Sequence, residues 1–144
     1  MRALSIRQPW AYLIAIGAKT IENRSWHTPI QGPLIICAGK ELAPLDQRED
    51  ARQRAEVYGI EIPDDVGPDA SRVCARTGVI AAVTMLTGCA IYRPNSSTGI
   101  WHDDQGHHLE LGATIPASTA VPVKGALGFF QVEEALLDRA LGLV

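Results

Sequence analysis

The run Gly17-Ala18-Lys19-Thr20-Ile21-Glu22-Asn23-Arg24 sets two cations and a carboxylate within a few residues of one another. The chain holds only three lysines, Lys19, Lys40 and Lys124, so a lysine placed here is not a by-product of a lysine-rich surface. The planar fork of Arg24 suits a phosphate or a base edge. Lys19 would add a movable point charge, and Glu22 an acceptor for a proton or a base amino group. On a strand, period-two geometry puts Thr20, Glu22 and Arg24 on one face. Lys19 lies where Gly17 hands over to the strand, so its parity is open. These residue types at this spacing point to an anion or nucleotide site. The plainer alternative is a solvated strand face with a Glu–Arg pair that contributes little.

Charge along the chain widens the candidate surface. Residues 1–40 carry Arg2, Arg7, Lys19, Arg24 and Lys40 against Glu22 alone, whereas residues 41–69 carry nine acids against three arginines. The net charge of −3 excludes a strongly basic coat for nucleic acid. It leaves room for a local basic face that attracts an anionic ligand. If the first strand paired with the second, Arg7 would neighbour Arg24, and that pair would need an anion. The expected ligand-binding set is Arg7, Lys19, Glu22, Arg24, Trp26, Lys40 and Lys124. Trp10 and Trp26 flank it. An exposed tryptophan stacked on a base is worth about 1–3 kcal/mol by truncation; Trp10, in an apolar helix, reads as core. Ser5 near Lys19 suggests a nucleophile pair on paper, but a serine there more simply satisfies a backbone group.

Short elements must position these residues. Ala3–Arg7 reads as a strand, and Pro9 opens a helix through Ile16 that Gly17 closes. That helix is apolar nearly all round, so it should be packed on most sides. Lys19–Trp26 and Pro33–Ala38 read as strands. Pro44–Tyr58 reads as a second helix with Leu45, Ala51, Ala55 and Tyr58 as its stripe, and Ile62–Ser71 as an exposed loop. Thr77–Cys89 is the longest strand candidate. His107–Leu111, Thr119–Val123 and Leu127–Val132 follow, then a terminal helix from Glu133 to Leu141. The 144 residues fit one α+β domain, a small mixed barrel with a helix between its first two strands and a second, peripheral helix.

The remaining chemistry is sparse. Cys37, Cys74 and Cys89 form no CxxC pair, so neither a disulfide framework nor a zinc ribbon is indicated; Cys37 and Cys89 read as buried thiols. The run His102-Asp103-Asp104-Gln105-Gly106-His107-His108 offers metal donors, but in no established spacing. The expectation is therefore no metal and no cofactor. His108 is a candidate acid–base group if it faces the cleft, and Tyr92–Gly99 a candidate flap over it. No secretion signal and no membrane-length apolar run are present, so the expectation is a cytoplasmic protein with no membrane partner.

The opening Leu4-Ser5-Ile6-Arg7-Gln8-Pro9-Trp10-Ala11, followed by Gly17-Ala18-Lys19-Thr20-Ile21-Glu22-Asn23-Arg24-Ser25-Trp26, resembles the ASCH domain. The family pattern G-x-K-x-x-E-x-R is met by Gly17, Lys19, Glu22 and Arg24. Downstream, Gly78-Val79-Ile80 with Cys89, Pro122-Val123-Lys124-Gly125 and Leu127-Gly128-Phe129-Phe130 resemble later strands of the family. The resemblance implies a PUA-like β-barrel with a helix at its mouth, and a cleft whose charged residues face RNA, DNA or a modified nucleoside. One branch of the family hydrolyses acetylated cytidine with a lysine, a threonine and a glutamate. Lys19 matches that lysine, but Glu22 stands at the threonine position. The leading expectation is thus a module binding nucleic acid or a nucleotide, RNA first. The alternative is a small hydrolase of acetylated cytidine or RNA, with Lys19 and Glu22 as its catalytic residues. A protein-recruiting module is a third reading, which an exposed apolar patch would favour.

Overall fold

The computed structural model describes residues 1–91, 101 and 106–144. The expectations for Tyr92–Gly99 and for His102–Gln105 lie outside the described residues. The strands are β1 (Arg2–Gln8), β2 (Ile21–Arg24), β3 (Gly32–Leu42), β4 (Ile80–Ile91), β5 (His107–Pro116) and β6 (Phe129–Gln131). The helices are α1 (Trp10–Ala15), α2 (Leu45–Val57) and α3 (Glu134–Ala140). One mixed sheet runs in the order β2-β5-β4-β3-β1-β6. β1 and β3 are parallel and the other pairs antiparallel. The chain is therefore α+β, as expected.

Alternation along the central strands feeds two cores. Leu4, Ile6, Leu34 and Ile36 enter one with α1, while Ala3, Ile35, Cys37 and Ile80 enter the other with Leu137 and Ala140 of α3. Ala11, Tyr12, Leu13, Ile14 and Ala15 are all buried, so α1 is packed nearly all round. A buried glutamine anchors it. Gln8 Oε1 accepts from the Tyr12 N–H (2.8 Å), and Nε2 donates to the Cys74 and Arg76 carbonyls (2.8 and 3.0 Å). One side chain thus ties the start of α1 to a 3₁₀ turn at Val73–Ala75, an element not visible in the sequence.

The sheet is open: β2 and β6 are its edges and do not pair with each other. Side chains nevertheless cross from the β2 edge to the other end. Arg24 Nη2 donates to the Ser5 carbonyl of β1 at 3.0 Å, and the Trp26 ring meets Phe129 of β6 edge-on at 5.1 Å.

Several elements differ from expectation. Thr119–Val123 is not a strand; it makes one bridge, Val79 to Pro122. Pro122 has no N–H to give a ladder, so only its neighbours bond: Ile80 N to Val121 O and Val123 N to Gly78 O. β5 continues past Leu111 to Pro116 because Thr114, Ile115 and Pro116 find partners on β4. α2 buries only Ala51 and Ala55; Leu45 and Tyr58 are exposed. Two small residues let the helix lie close, and that stripe is narrower than the one read from sequence. The Ile62–Ser71 loop lacks helix or strand but buries Ile62, Gly67 and Ala70.

All three cysteines are free; Cys37 and Cys74 are buried, whereas Cys89 is only half-buried, not buried as expected. Among the described residues no helix is long and apolar enough to cross a membrane. Burial pushes the Cys37 thiol up to about 12, and raises Cys74 in the same direction. At pH 8 both are then thiols, not the reactive thiolates. Under native conditions Cys89 should react first with a disulfide reagent. Cys37 and Cys74 should follow only on unfolding in guanidinium, as mass spectrometry of the labelled peptides would show.

Candidate functional site

Gly17, at φ +79°, lets the chain reverse out of α1. The Ala18 and Lys19 N–H groups then both donate to the Leu13 carbonyl, at 3.0 and 2.9 Å. With both hydrogen bonds on one carbonyl, the parity that the sequence left open is fixed: the Lys19 side chain turns inward and is only 3% exposed. Its Nζ donates to the Ile21 carbonyl and to Glu22 Oε1, the latter at 2.8 Å. It also lies 5.6 Å from the Trp10 ring centroid. Lys19 is a fixed charge, not a movable one.

Glu22 joins the two cations. Its Oε2 accepts from Arg24 Nε at 3.0 Å, while Oε1 serves Lys19. Glu22 and Arg24 do share a face of β2, as alternation requires; Thr20 precedes the strand and is exposed. A buried ammonium is tolerable only with such a partner. Arg24 is the outermost of the three, its side chain 24% exposed. Its Nη2 is held by the Ser5 carbonyl.

The other expected residues are spread more widely. β1 pairs with β3 and β6, and β2 with β5, so Arg7 is not a strand neighbour of Arg24. The anion beside Arg24 is Glu22 itself. Arg7 is exposed and runs along Gly39, next to exposed Lys40 on β3. Lys124 is exposed next to Gly125. Trp26 is half-buried against Phe129, and Arg2 lies over the same phenyl ring at 5.7 Å. Trp10 is half-buried too, edge-on to the buried Trp101 at 6.4 Å. His108 is buried on β5, 1% exposed.

Sequence reasoning expected the Ser5 hydroxyl to satisfy a backbone group and took Gly125 and Phe129 only as parts of later strands; it did not place them beside Arg24 and Trp26. Ser5 Oγ is buried with no hydrogen-bond partner among the described residues. A Cβ built on Gly125 would fall 2.2 Å from that oxygen, so only glycine lets this backbone pack so closely against the hydroxyl. Among the described residues, concave surface lies elsewhere, between α2 and the following loop, lined by Arg48, Arg52, Ile62 and Asp64 among others.

The ASCH domain model matches residues 4–132. Over 65 residues, 43% of this chain, the sequence is 42% identical to activating signal cointegrator 1 of Mus musculus. It is 40% identical to the Homo sapiens protein of the same name over an equal length. The matched stretch covers 11% of each of those proteins, so the chain is similar to a small part of them.

The ion-pair geometry ranks three substitutions. Glu22→Ala strands a buried cation and should lower the unfolding free energy by about 3–5 kcal/mol. Arg24→Ala leaves Glu22 still paired with Lys19 and should cost about 1 kcal/mol. Lys19→Met leaves Glu22 paired with Arg24 and should fall between them. Urea denaturation checks the order, and equal losses for Glu22→Ala and Arg24→Ala would contradict it.

Proposed function

This chain belongs to the ASCH domain family, and on that footing we propose that it binds nucleic acid, RNA in the first place, at the face formed by Arg24, Ser5 and Trp26. The family as a whole is linked to RNA binding. The observation that carries the reading is the state of Arg24. Its Nε and Nη2 are fixed by Glu22 and the Ser5 carbonyl, which leaves Nη1 of a rigid, partly exposed guanidinium for a phosphate or base acceptor. The charges of Lys19, Glu22 and Arg24 sum to one positive charge. Next to it, the buried Ser5 hydroxyl lacks a partner among the described residues. Trp26 and Phe129 supply aromatic surface on which a base could stack. Arg7 with Lys40, and Lys124 beside Gly125, are exposed cations that would track the phosphate backbone.

Within this reading Lys19 and Glu22 support the site from beneath rather than react. Lys19 Nζ donates to two protein oxygens and faces an indole, and both Glu22 oxygens are engaged. A proton shuttle or a general base needs a free position, so the hydrolase alternative draws no support from this geometry. We also read the sheet, whose β2 edge reaches β1 and β6 through Arg24 and Trp26, as the PUA-like barrel of the family. Residues 1–144 would then form one such domain, with three free thiols suited to the cytoplasm.

Fluorescence anisotropy with single-stranded RNA, single-stranded DNA and duplexes tests the reading. Affinity for RNA should fall as salt rises, with a log–log slope of about −0.7 per phosphate contact. Arg24→Gln and Trp26→Leu should each weaken binding by roughly tenfold or more, the lower end of what base-edge and stacking contacts contribute. Wild-type affinity in both folded variants would sink the proposal. So would binding that does not respond to salt.

A further inference from the structure

The sheet order puts β5 between β2 and β4. That order gathers donors the sequence scatters: His27 just beyond β2, Cys89 near the end of β4 and His107 at the start of β5. Cys89 pairs with Leu109, two residues along from His107, so Cys89 and His107 share a face of the sheet. One ligand atom from each of the three residues lies within 4.8 Å of the others. The His27 and His107 rings are 5.5 Å apart and tilted by 58°. His107 Nδ1 is buried without a hydrogen-bond partner among the described residues. The cluster lies outside the Lys19–Glu22–Arg24 group and shares no donor with it.

We propose that His27, Cys89 and His107 form a binding site for a tetrahedral divalent metal ion, zinc by the chemistry of the donors. Imidazole and thiolate together select zinc over magnesium or calcium, which take oxygen ligands. Bonds of about 2.0–2.1 Å to nitrogen and 2.3 Å to sulfur set donor separations of about 3.3–3.6 Å in a tetrahedron. The present separations, all within 4.8 Å, need to close by at most about 1.5 Å to reach those tetrahedral distances, within reach of side-chain rotation because His27 is exposed and lies outside the strands. Close packing of two imidazoles alone would explain the ring geometry, but it gives no reason for a thiol at the same point. Three protein donors leave the fourth position to water or to a ligand atom, the pattern of reactive rather than purely structural zinc. The ion would lie near Arg24, the direct cross-strand partner of His107. The Lys19–Glu22–Arg24 group keeps one net positive charge, and the Cys89 thiolate would offset one of the two charges of the ion beside it. The site stands whether or not the Arg24 face takes nucleic acid.

The test uses the full chain stripped with a chelator, titrated with zinc by calorimetry and with cobalt(II) by absorption. Uptake of a single equivalent is expected. Cobalt should show a thiolate charge-transfer band and the intense visible bands of a tetrahedral ion. Cys89→Ser should remove the charge-transfer band. Both Cys89→Ser and His27→Gln should weaken zinc binding by more than about 100-fold, the upper range for losing a mere outer partner. His27 is exposed, so His27→Gln keeps the test valid if Cys89→Ser fails to fold. No uptake by the stripped protein overturns the site. Uptake that His27→Gln leaves unchanged overturns it equally, because the metal is then bound elsewhere.

Discussion

A lysine amine taken out of water must be given acceptors, and Lys19 is almost wholly enclosed. The Ile21 carbonyl is one acceptor and the Glu22 carboxylate the other. Because the carboxylate has two oxygens, satisfying Lys19 leaves one free to fix Arg24. Arg24 in turn reaches the Ser5 carbonyl on a strand that β2 does not pair with. The chain of contacts runs from a buried charge, through its counter-ion, to the contact that ties one sheet edge towards the other. Moving any of the three groups by an ångström would break it.

That dependence explains why the elements around the motif are built as they are. α1 must be buried on nearly every side, since it carries the chain to Gly17 and sets Lys19 from within the core. Gln8 fixes where α1 begins, through bonds to Tyr12, Cys74 and Arg76. The result is a rigid guanidinium in a place where a flexible arginine would lose rotamer freedom on binding. Rigidity gained before a ligand arrives lowers the cost of recognition. Trp26 and Phe129 extend the same edge with aromatic surface, and they too meet across the gap between β2 and β6.

Much of this was legible in the residues. Alternation placed Glu22 and Arg24 on one face, and the glycine after an apolar run placed the end of α1; both follow from local backbone geometry. The family pattern is carried by Gly17, Lys19, Glu22 and Arg24, and the family match extends across residues 4–132. Less legible were elements whose status depends on partners. Thr119–Val123 has strand-forming residues, but Pro122 denies it a ladder. β5 outran its apolar signal because β4 offered a partner as far as Pro116. Tyr58 looked like core and is exposed, lying by Trp101 instead.

By itself, then, the sequence determined the residue types, the strand parity and the turn that present Lys19, Glu22 and Arg24, because these depend on neighbours within a few positions. Tertiary structure alone decided the direction in which Lys19 points, and that Arg7 and Arg24 lie on strands that do not pair with each other. It alone brought Ser5 against Gly125, and His27, Cys89 and His107 to one point. Those outcomes follow from strand order and the connections around it, which bring together residues up to 120 positions apart, as with Ser5 and Gly125, and leave no local trace in the chain.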